Sequence, residues 1–334
     1  MARKTVFMQY CSECCRKTAV CQTSPMDITE PKNLQRDFIG YGRVPPQPEW
    51  PGNTQLALNF VINLEEGAES CILDGDAASE NYLMELSGRK PLIGQRDLFS
   101  ESIFEYGARC GIWRLLNLFE TRGLPLTLWV CGQALERNPA LAAHLAASSH
   151  EVAGHGYRWI DYRGVQPNLE REHIVRTLEI IERLIGRPAV GWYTGRKSLN
   201  TRRLIAEAGL RYDSESYADD LPYWVEVNSR PHLVIPYSFD ANDAKYFLSP
   251  GWTSGDDFLQ YLQNTIRCLY REGEASPKMM TVALHARISG RPGRAEIIYR
   301  FLDFLEQFPN IWITTREAIA QLWYQQHPAK TLET

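Results

Sequence analysis

The stretch Leu56-Ala57-Leu58-Asn59-Phe60-Val61-Ile62-Asn63-Leu64-Glu65-Glu66-Gly67 decides the fold of this 334-residue chain. Its first seven residues form a short, mostly apolar run that is typical of a buried strand. Two adjacent carboxylates and a glycine follow at the mouth of that run. The stretch therefore predicts a core strand that presents acidic side chains in the loop after it.

Short apolar runs of this kind alternate along the chain with longer amphipathic segments. We predict strands at 56–63, 125–131, 151–154, 189–193, 210–213, 232–237, 279–285 and 311–315. We predict helices at 101–122, 138–148, 168–185, 200–208, 255–272, 294–307 and 315–326. This alternation predicts an α/β fold with a parallel sheet, and about seven to eight units predict a closed or deformed (β/α) barrel.

The ends of the chain differ from the middle. Residues 1–36 carry Cys11, Cys14, Cys15 and Cys21 among polar residues, and we expect a poorly ordered or artefactual leader and arm there rather than a zinc site, because no second ligand pair follows at a fixed spacing. We predict one barrel domain over residues 37–328 and a tail over 329–334.

Composition limits the partners of this protein. The net charge of -4 offers no clustered positive surface for nucleic acid, and no run of about twenty apolar residues predicts a membrane span. The other four cysteines, Cys71, Cys110, Cys131 and Cys268, are scattered, which favours unpaired thiols in a reducing, cytoplasmic compartment. We therefore expect a small-molecule substrate, with no nucleic acid and no membrane.

Polar side chains gather just after the predicted strands. In a parallel barrel the loops at the carboxyl ends share one rim, so these groups are expected to converge on one pocket. They are Glu65 and Glu66 after the first strand, His155 and Arg158 after the third, Thr194-Gly195-Arg196 after the fourth, Asp219-Asp220 and Trp224 after the fifth, and His285 and Arg287 at the seventh.

The sequence motifs around these residues resemble those of the polysaccharide deacetylase superfamily. Four of its motifs have counterparts here, in Asn63–Gly67, His155–Trp159, Trp192–Arg196 and Leu284-His285. Further segments are similar to the cofactor-independent allantoinase branch of that superfamily, namely Asp37–Gly42, Asp219–Trp224 and Pro231–Tyr237. That resemblance covers Asp37 to Pro328 and implies a deacetylase-like barrel, hydrolysis of the hydantoin ring of (S)-allantoin to allantoate in purine breakdown, and a homotetramer.

The residues also bear on the metal that the superfamily uses. A hydrolytic zinc site usually takes three protein ligands. Glu66 and His155 match two of the superfamily's ligand positions, whereas Trp159 replaces the third and offers no lone pair. We therefore expect no catalytic metal and no other cofactor.

Without a metal, side chains alone must activate water and stabilise the oxyanion. Glu65 matches the base position of the superfamily, and repulsion from Glu66 is expected to raise its pKa or to orient His155. His155 and His285 are candidates for acid, proton shuttle or carbonyl polariser, and Arg196 is a candidate for charge stabilisation.

Five aromatic residues are candidates to wall a pocket for a small flat ring. Core packing is the alternative for each of them. They are Tyr157, Trp159, Tyr193, Tyr223 and Trp224.

Three functions stay open at this point. The first is a metal-free cyclic amidohydrolase that acts on allantoin. The second is a deacetylase of N-acetylated sugar polymers, against which the missing metal ligand argues. The third is a catalytically silent barrel that binds a ureide or a sugar.

Overall fold

One mixed sheet with helices packed on it organises residues 36–86 and 88–329, the part of the chain that this computed structural model describes. The strands are β1 (Leu56–Leu64), β2 (Thr127–Val130), β3 (Glu151–Gly154), β4 (Gly191–Trp192), β5 (Tyr212–Asp213), β6 (Tyr223–Val227), β7 (Arg230–Val234), β8 (Lys278–His285) and β9 (Ile311–Ile313). The helices are α1 (Leu98–Tyr106), α2 (Ile112–Glu120), α3 (Gly132–Arg137), α4 (Pro139–Ala147), α5 (Pro167–Ile185), α6 (Thr201–Glu207), α7 (Gly255–Glu272), α8 (Pro292–Leu305) and α9 (Arg316–Gln326).

The strand order places the candidate site at one rim. The sheet runs β6-β7-β5-β4-β3-β2-β1-β8, and β9 pairs with the first half of β1. The pairings are parallel except that between β6 and β7, which is antiparallel. The carboxyl ends of the parallel strands therefore share one edge, as the α/β alternation predicts.

The barrel is deformed along a seam beside β8. In place of a neighbouring strand, an isolated parallel bridge joins Ala283 of β8 to Asn242. Asn242 lies in the seam segment, the stretch after β7 that carries the short 3-10 helices Phe239–Ala241 and Asp243–Tyr246. The hydroxyl of Ser238 accepts a hydrogen bond from the backbone nitrogen of Thr281 at 3.1 Å, which fastens the same segment to β8. The predicted deformed (β/α) barrel is confirmed, and its seam is lined by a loop.

Strand β1 is buried on both faces. Residues such as Phe60 and Ile62 pack in the cluster that the helices cover, whereas Ala57 and Val61 pack in the cluster inside the barrel with Trp129. Strands buried on both faces read as near-continuous apolar runs. This position explains why the β1 sequence predicts its strand so clearly.

Three elements differ from the prediction. Strand β6 was expected to be part of a loop, and helix α3 was not predicted. The helix predicted over 101–122 is interrupted, because a π-helical segment, Gly107–Gly111, separates α1 from α2. Short or half-exposed elements such as these lack the long apolar period that sequence prediction relies on.

Two predictions from composition concern the whole chain. Within residues 36–86 and 88–329, none of the helices has the length and apolar character that crossing a bilayer requires. Cys71, Cys110, Cys131 and Cys268 are free thiols, as predicted. The prediction about the four cysteines of the leader lies outside the described residues.

Candidate active site

Glu65 stands at the centre of a buried cluster at the carboxyl rim. It follows β1 directly, His155 follows β3, and His285 ends β8. Nε2 of His155 lies 3.1 Å and Nε2 of His285 lies 3.4 Å from the same oxygen, Oε1 of Glu65. The strand pairing thus brings together three side chains that are separated by up to 220 residues.

His285 is oriented by Asp243, a residue of the seam segment. Oδ1 of Asp243 lies 2.6 Å from Nδ1 of the ring, and Oδ2 accepts hydrogen bonds from the backbone nitrogens of His285 and Ser289 at 2.8 and 3.2 Å. Burial by itself would lower the pKa of His285, but the carboxylates of Glu65 and Asp243 raise it to about 9. His285 is therefore an imidazolium at neutral pH, with Nε2–H facing Glu65.

His155 is held by Tyr193. Its Nδ1 donates to the backbone oxygen of Tyr193, and its ring stacks on the Tyr193 ring with centroids 5.5 Å apart. The Tyr193 ring stacks in turn on Tyr237 at 4.4 Å. Because Nδ1 uses its proton on a carbonyl, a hydrogen bond between Nε2 and Glu65 requires one proton between them. The pair can therefore exchange a proton.

Arg287 ties the two adjacent carboxylates together. Its Nη1 lies 2.6 Å from Oε2 of Glu65 and 3.4 Å from Oε1 of Glu66, and its backbone nitrogen donates to Oε1 of Glu66 at 3.0 Å. Glu65 is 2% exposed and Glu66 is 3% exposed. The paired carboxylates are thus neutralised inside the protein rather than solvated in a loop.

The environments of the two carboxylates separate their pKa values. Burial opposes ionisation of Glu65, but the charges of Arg287 and His285 and the hydrogen bonds of both histidines hold its pKa well below the usual value. Burial raises the pKa of Glu66 in spite of Arg287. Of the two alternatives predicted for Glu66, a raised pKa of Glu65 is wrong, because the charges of Arg287 and His285 hold that pKa low. Repulsion between the carboxylates instead adds to burial in raising the pKa of Glu66.

The π-helical segment lets a helix approach Glu66 closely. A Cβ atom on Gly107 would lie 2.6 Å from Cγ and Oε1 of Glu66, and a Cβ on Gly111 would lie 2.0 Å from the backbone oxygen of Ala286. Both distances are shorter than any real contact of a Cβ atom allows. π-Bulges occur frequently at functional sites. Here Gly107 and Gly111 allow the π-helical segment to pack directly against Glu66 and Ala286.

Trp159 covers the cluster between two arginines. The guanidinium of Arg287 lies 4.7 Å from its ring centroid and that of Arg196 lies 4.5 Å from it. The ring of Tyr82 stacks beside Trp159 at 6.0 Å. Glu65 and both histidines are at most 3% exposed, so the cluster lies below the surface of the protein.

Arg196 does not contact the carboxylates of the cluster. Its Nη1 lies 3.2 Å from Oε2 of Glu80 and donates to the backbone oxygen of Trp159 at 3.0 Å. The predicted role in stabilising an oxyanion has no support from this geometry, because Arg287 takes the position beside Glu65. Arg196 instead holds Trp159 in place through its backbone oxygen and its ring.

Three of the predicted pocket aromatics lie against other parts of the molecule. The Tyr157 ring packs under Arg176 of α5, with the guanidinium 3.8 Å from its centroid. Tyr223 donates to the hydroxyl of Ser216 at 2.6 Å. Trp224 donates from its indole nitrogen to the backbone oxygen of His327 at 2.7 Å. Of the five aromatics, the structure brings Trp159 and Tyr193 to the cluster.

The side chains at the rim do not fit a metal ion. Among residues 36–86 and 88–329, no group of three or more His, Cys, Asp or Glu side chains is placed to hold one. Trp159 supplies no lone pair, and the guanidinium of Arg287 lies against both carboxylates. The chemistry of this site is therefore derived from the side chains alone.

Two residues of the cluster were not assigned a role from the sequence. Arg287 follows His285 at the period of two that puts both side chains on one face of an extended chain, so a signal was present. Asp243 had no such signal, since it begins a short 3-10 helix and reaches His285 only across the seam.

Comparison with known proteins identifies the family of this chain. The polysaccharide deacetylase family model matches residues 101–212. A Schizosaccharomyces pombe protein whose name places it among the polysaccharide deacetylases is 40% identical over 316 residues, which cover 88% of this chain and 98% of that protein.

Two solved structures are similar over nearly the whole barrel. One is a Pseudomonas aeruginosa PAO1 protein named in the same group, with 46% identity, a TM-score of 0.86, and coverage of 88% of this chain and 99% of that one. The other is PuuE allantoinase, with 44% identity, a TM-score of 0.87, and coverage of 89% and 100%. The chain therefore belongs to the polysaccharide deacetylase superfamily, as a hydrolase on the branch that includes PuuE allantoinase.

Proposed function

We propose that this chain is a metal-independent allantoinase, which hydrolyses the hydantoin ring of (S)-allantoin to allantoate in purine catabolism. The observation that carries the proposal is the cluster in which Glu65 meets His155 and His285 under Trp159. The 44% identity to PuuE allantoinase over all of that chain supports the same substrate.

The geometry suits acid–base hydrolysis of an amide. Glu65 is an ionised carboxylate that accepts a proton from water as the water oxygen bonds to the ring carbonyl carbon. His155 is hydrogen-bonded to Oε1 of Glu65 and orients the carboxylate. His285 enters the reaction protonated, because Asp243 and Glu65 raise its pKa to about 9.

The leaving nitrogen needs a proton at the moment when the ring opens. As the carbon–nitrogen bond breaks, its electron pair goes to nitrogen, which takes the Nε2 proton of His285. The products are a carboxylic acid and a ureido N–H on one molecule. Glu65 returns its proton to Nε2 of His285, and the acid loses its proton to water when it leaves as the carboxylate. Asp243 holds the imidazolium in the orientation that this transfer requires.

The cover suits a small flat substrate. Trp159 and Tyr82 stack side by side above the cluster, and an aromatic face can hold a five-membered ureide ring. The aromatic rings beside the cluster therefore support a small planar substrate.

The proposal includes assembly and compartment. We propose a homotetramer in the cytoplasm, where free thiols such as Cys131 stay reduced. Light scattering during size-exclusion chromatography tests the assembly, and a mass of one or two chains contradicts it.

The test of the proposed function offers purified, chelator-treated protein three compounds. They are (S)-allantoin, hydantoin and an N-acetylglucosamine oligomer. We expect allantoate to form at a rate that the chelator leaves unchanged, with no zinc in metal analysis. Acetate release from the oligomer would indicate a deacetylase, and binding without turnover would indicate a silent barrel.

A further inference from the structure

One nitrogen of the Arg287 guanidinium lacks a hydrogen-bond partner inside the active-site cluster. Its Nε donates to the backbone oxygen of Leu83 at 3.1 Å, and its Nη1 bonds with the carboxylates of Glu65 and Glu66. Its Nη2 is buried and has no hydrogen-bond partner among the described residues. Since the whole residue is 1% exposed, bulk water does not satisfy this donor either.

A buried charged donor without an acceptor calls for an explanation. Buried polar groups in proteins are nearly always hydrogen-bonded, and an arginine offers five N–H donors in a planar fork. The open Nη2 therefore points to an acceptor that arrives with the substrate.

Two aromatic rings hold the guanidinium of Arg287 in place without accepting a hydrogen bond from Nη2. The rings of Phe104 and Trp159 face it, with centroids 4.5 and 4.7 Å from Cζ. Ring faces attract a cation but leave its N–H groups free. The result is a fixed positive charge in a site that excludes water, where it acts strongly on charge that develops nearby.

We infer that Arg287 is a catalytic residue whose Nη2 binds the oxygen of the scissile carbonyl. This inference rests on the proposed amide hydrolysis. When the water oxygen bonds to the carbonyl carbon, the π electrons move to the carbonyl oxygen, and Nη2–H donates to that oxyanion. When the carbon–nitrogen bond breaks, an electron pair of the oxyanion restores the carbon–oxygen double bond.

This role of Arg287 explains how the site can polarise a carbonyl group without a bound metal ion. Glu65 bonds Nη1 and at the same time receives the proton of the attacking water, so Arg287 fixes the base and the electrophile relative to each other. Glu66 accepts from the backbone nitrogen of Arg287 and fixes the residue at its main chain.

The experiment compares Arg287→Ala and Arg287→Lys with the wild-type full-length protein in allantoin hydrolysis. We expect Arg287→Ala to lower kcat by about 100- to 1000-fold, the usual effect of losing one oxyanion donor, with a smaller change in KM. Guanidinium ion at tens of millimolar should raise the rate of Arg287→Ala at least about tenfold, whereas ammonium ion should not raise it. Arg287→Lys keeps a charge but not the fork, so it should stay well below wild type.

Arg316 provides the matched control, because it is equally buried and each of its side-chain nitrogens already has a partner. Arg316→Lys should melt at a lower temperature but keep kcat per folded molecule within about threefold, and guanidinium should not raise it, since no open donor is lost.

The outcomes separate the two proposals. A kcat within tenfold of wild type for Arg287→Ala, or no rescue in a folded variant, overturns the role of Arg287. If Arg287→Ala does not fold, a folded Arg287→Lys with wild-type kcat overturns it and one with a large loss supports it. If the wild type opens no allantoin but hydrolyses another amide, the proposed substrate fails while Arg287 is tested on that amide. If it hydrolyses neither, both proposals fail.

Discussion

Two arginines lie buried inside this barrel, and their partners differ. Arg316, at the start of α9, is surrounded by neutral acceptors that use all three of its side-chain nitrogens. These acceptors are Ser214 (3.0 Å), Asn59 (2.9 Å), Thr281 (2.7 Å) and the backbone oxygens of Ile235 (2.5 Å) and Pro236 (2.8 Å). Arg287 instead faces two carboxylates and leaves Nη2 open.

The difference extends to the pKa values. Burial lowers the pKa of Arg316. The pKa of Arg287 is raised in spite of burial, because the charges of Glu65 and Glu66 favour its cationic form. A complete neutral network holds the strands of the barrel together, whereas an incomplete charged network is prepared for a ligand. Burial alone therefore does not tell a structural arginine from a catalytic one.

The strongest test of the charged network is Glu65→Gln. The amide keeps the shape but cannot accept the proton of water, so kcat should fall by about 100- to 10,000-fold. Allantoin hydrolysis and ligand binding are to be measured together. Glu151→Gln is the matched control, because Glu151 is a buried carboxylate bonded to Tyr212 and Thr127. Turnover of Glu65→Gln near the wild-type rate would remove Glu65 from the role of base.

The neutral network is tested by Arg316→Met, which removes its central donor. Several buried acceptors then lose their partner, so the free energy of unfolding should fall by about 3 kcal/mol or more. Urea unfolding monitored by circular dichroism measures the change. Little loss of stability would mean that the network contributes less than its geometry indicates.

The fit of the helix against the charged network is tested by Gly107→Ala. Its backbone conformation suits alanine, so the cost comes from the methyl group that meets Glu66 at 2.6 Å. We expect a loss of about 1–3 kcal/mol of stability and a lower kcat. Gly293→Ala is the control, since a Cβ there meets no atom within 4 Å. Equal melting temperatures for the two variants would contradict the tight fit.

The smallest expected effect is a shift in pH dependence. His285 loses its proton as the pH rises through about 9, so kcat/KM should fall above that pH. Asp243→Asn removes a charge that raises this pKa, and the fall should move to lower pH, toward the ordinary value of about 6.5. Asp240→Asn, at an exposed carboxylate of the same segment, should leave the profile unchanged. An unmoved profile for Asp243→Asn would exclude His285 as the titrating acid.

The sequence predicts best those strands that are long and mostly apolar. Strands β1 and β8 are nine and eight residues long and mostly apolar, and both are predicted within one residue. Strand β6 is half exposed and follows Asp219-Asp220, so its residues read as a loop. Its strand conformation depends on pairing with β7, which is not encoded in its own pattern.

The same distinction holds in the site. Glu65, His155 and His285 each follow or end a strand, so topology alone predicts that they meet. Arg287 comes two residues after His285, so it is expected at the same rim, but its pattern does not show that the guanidinium turns onto both carboxylates. Asp243 acts through tertiary contacts made across the seam, and no local pattern predicts such contacts.

The seam beside β8 bears on how this scaffold can diversify. Asp243, whose charge raises the pKa of His285, lies in the connection between β7 and α7 and not in a strand. Connecting segments tolerate insertions and exchanges that strands do not. Altering this one connection can therefore give a barrel with a different working pH while the sheet and the carboxylate pair stay the same.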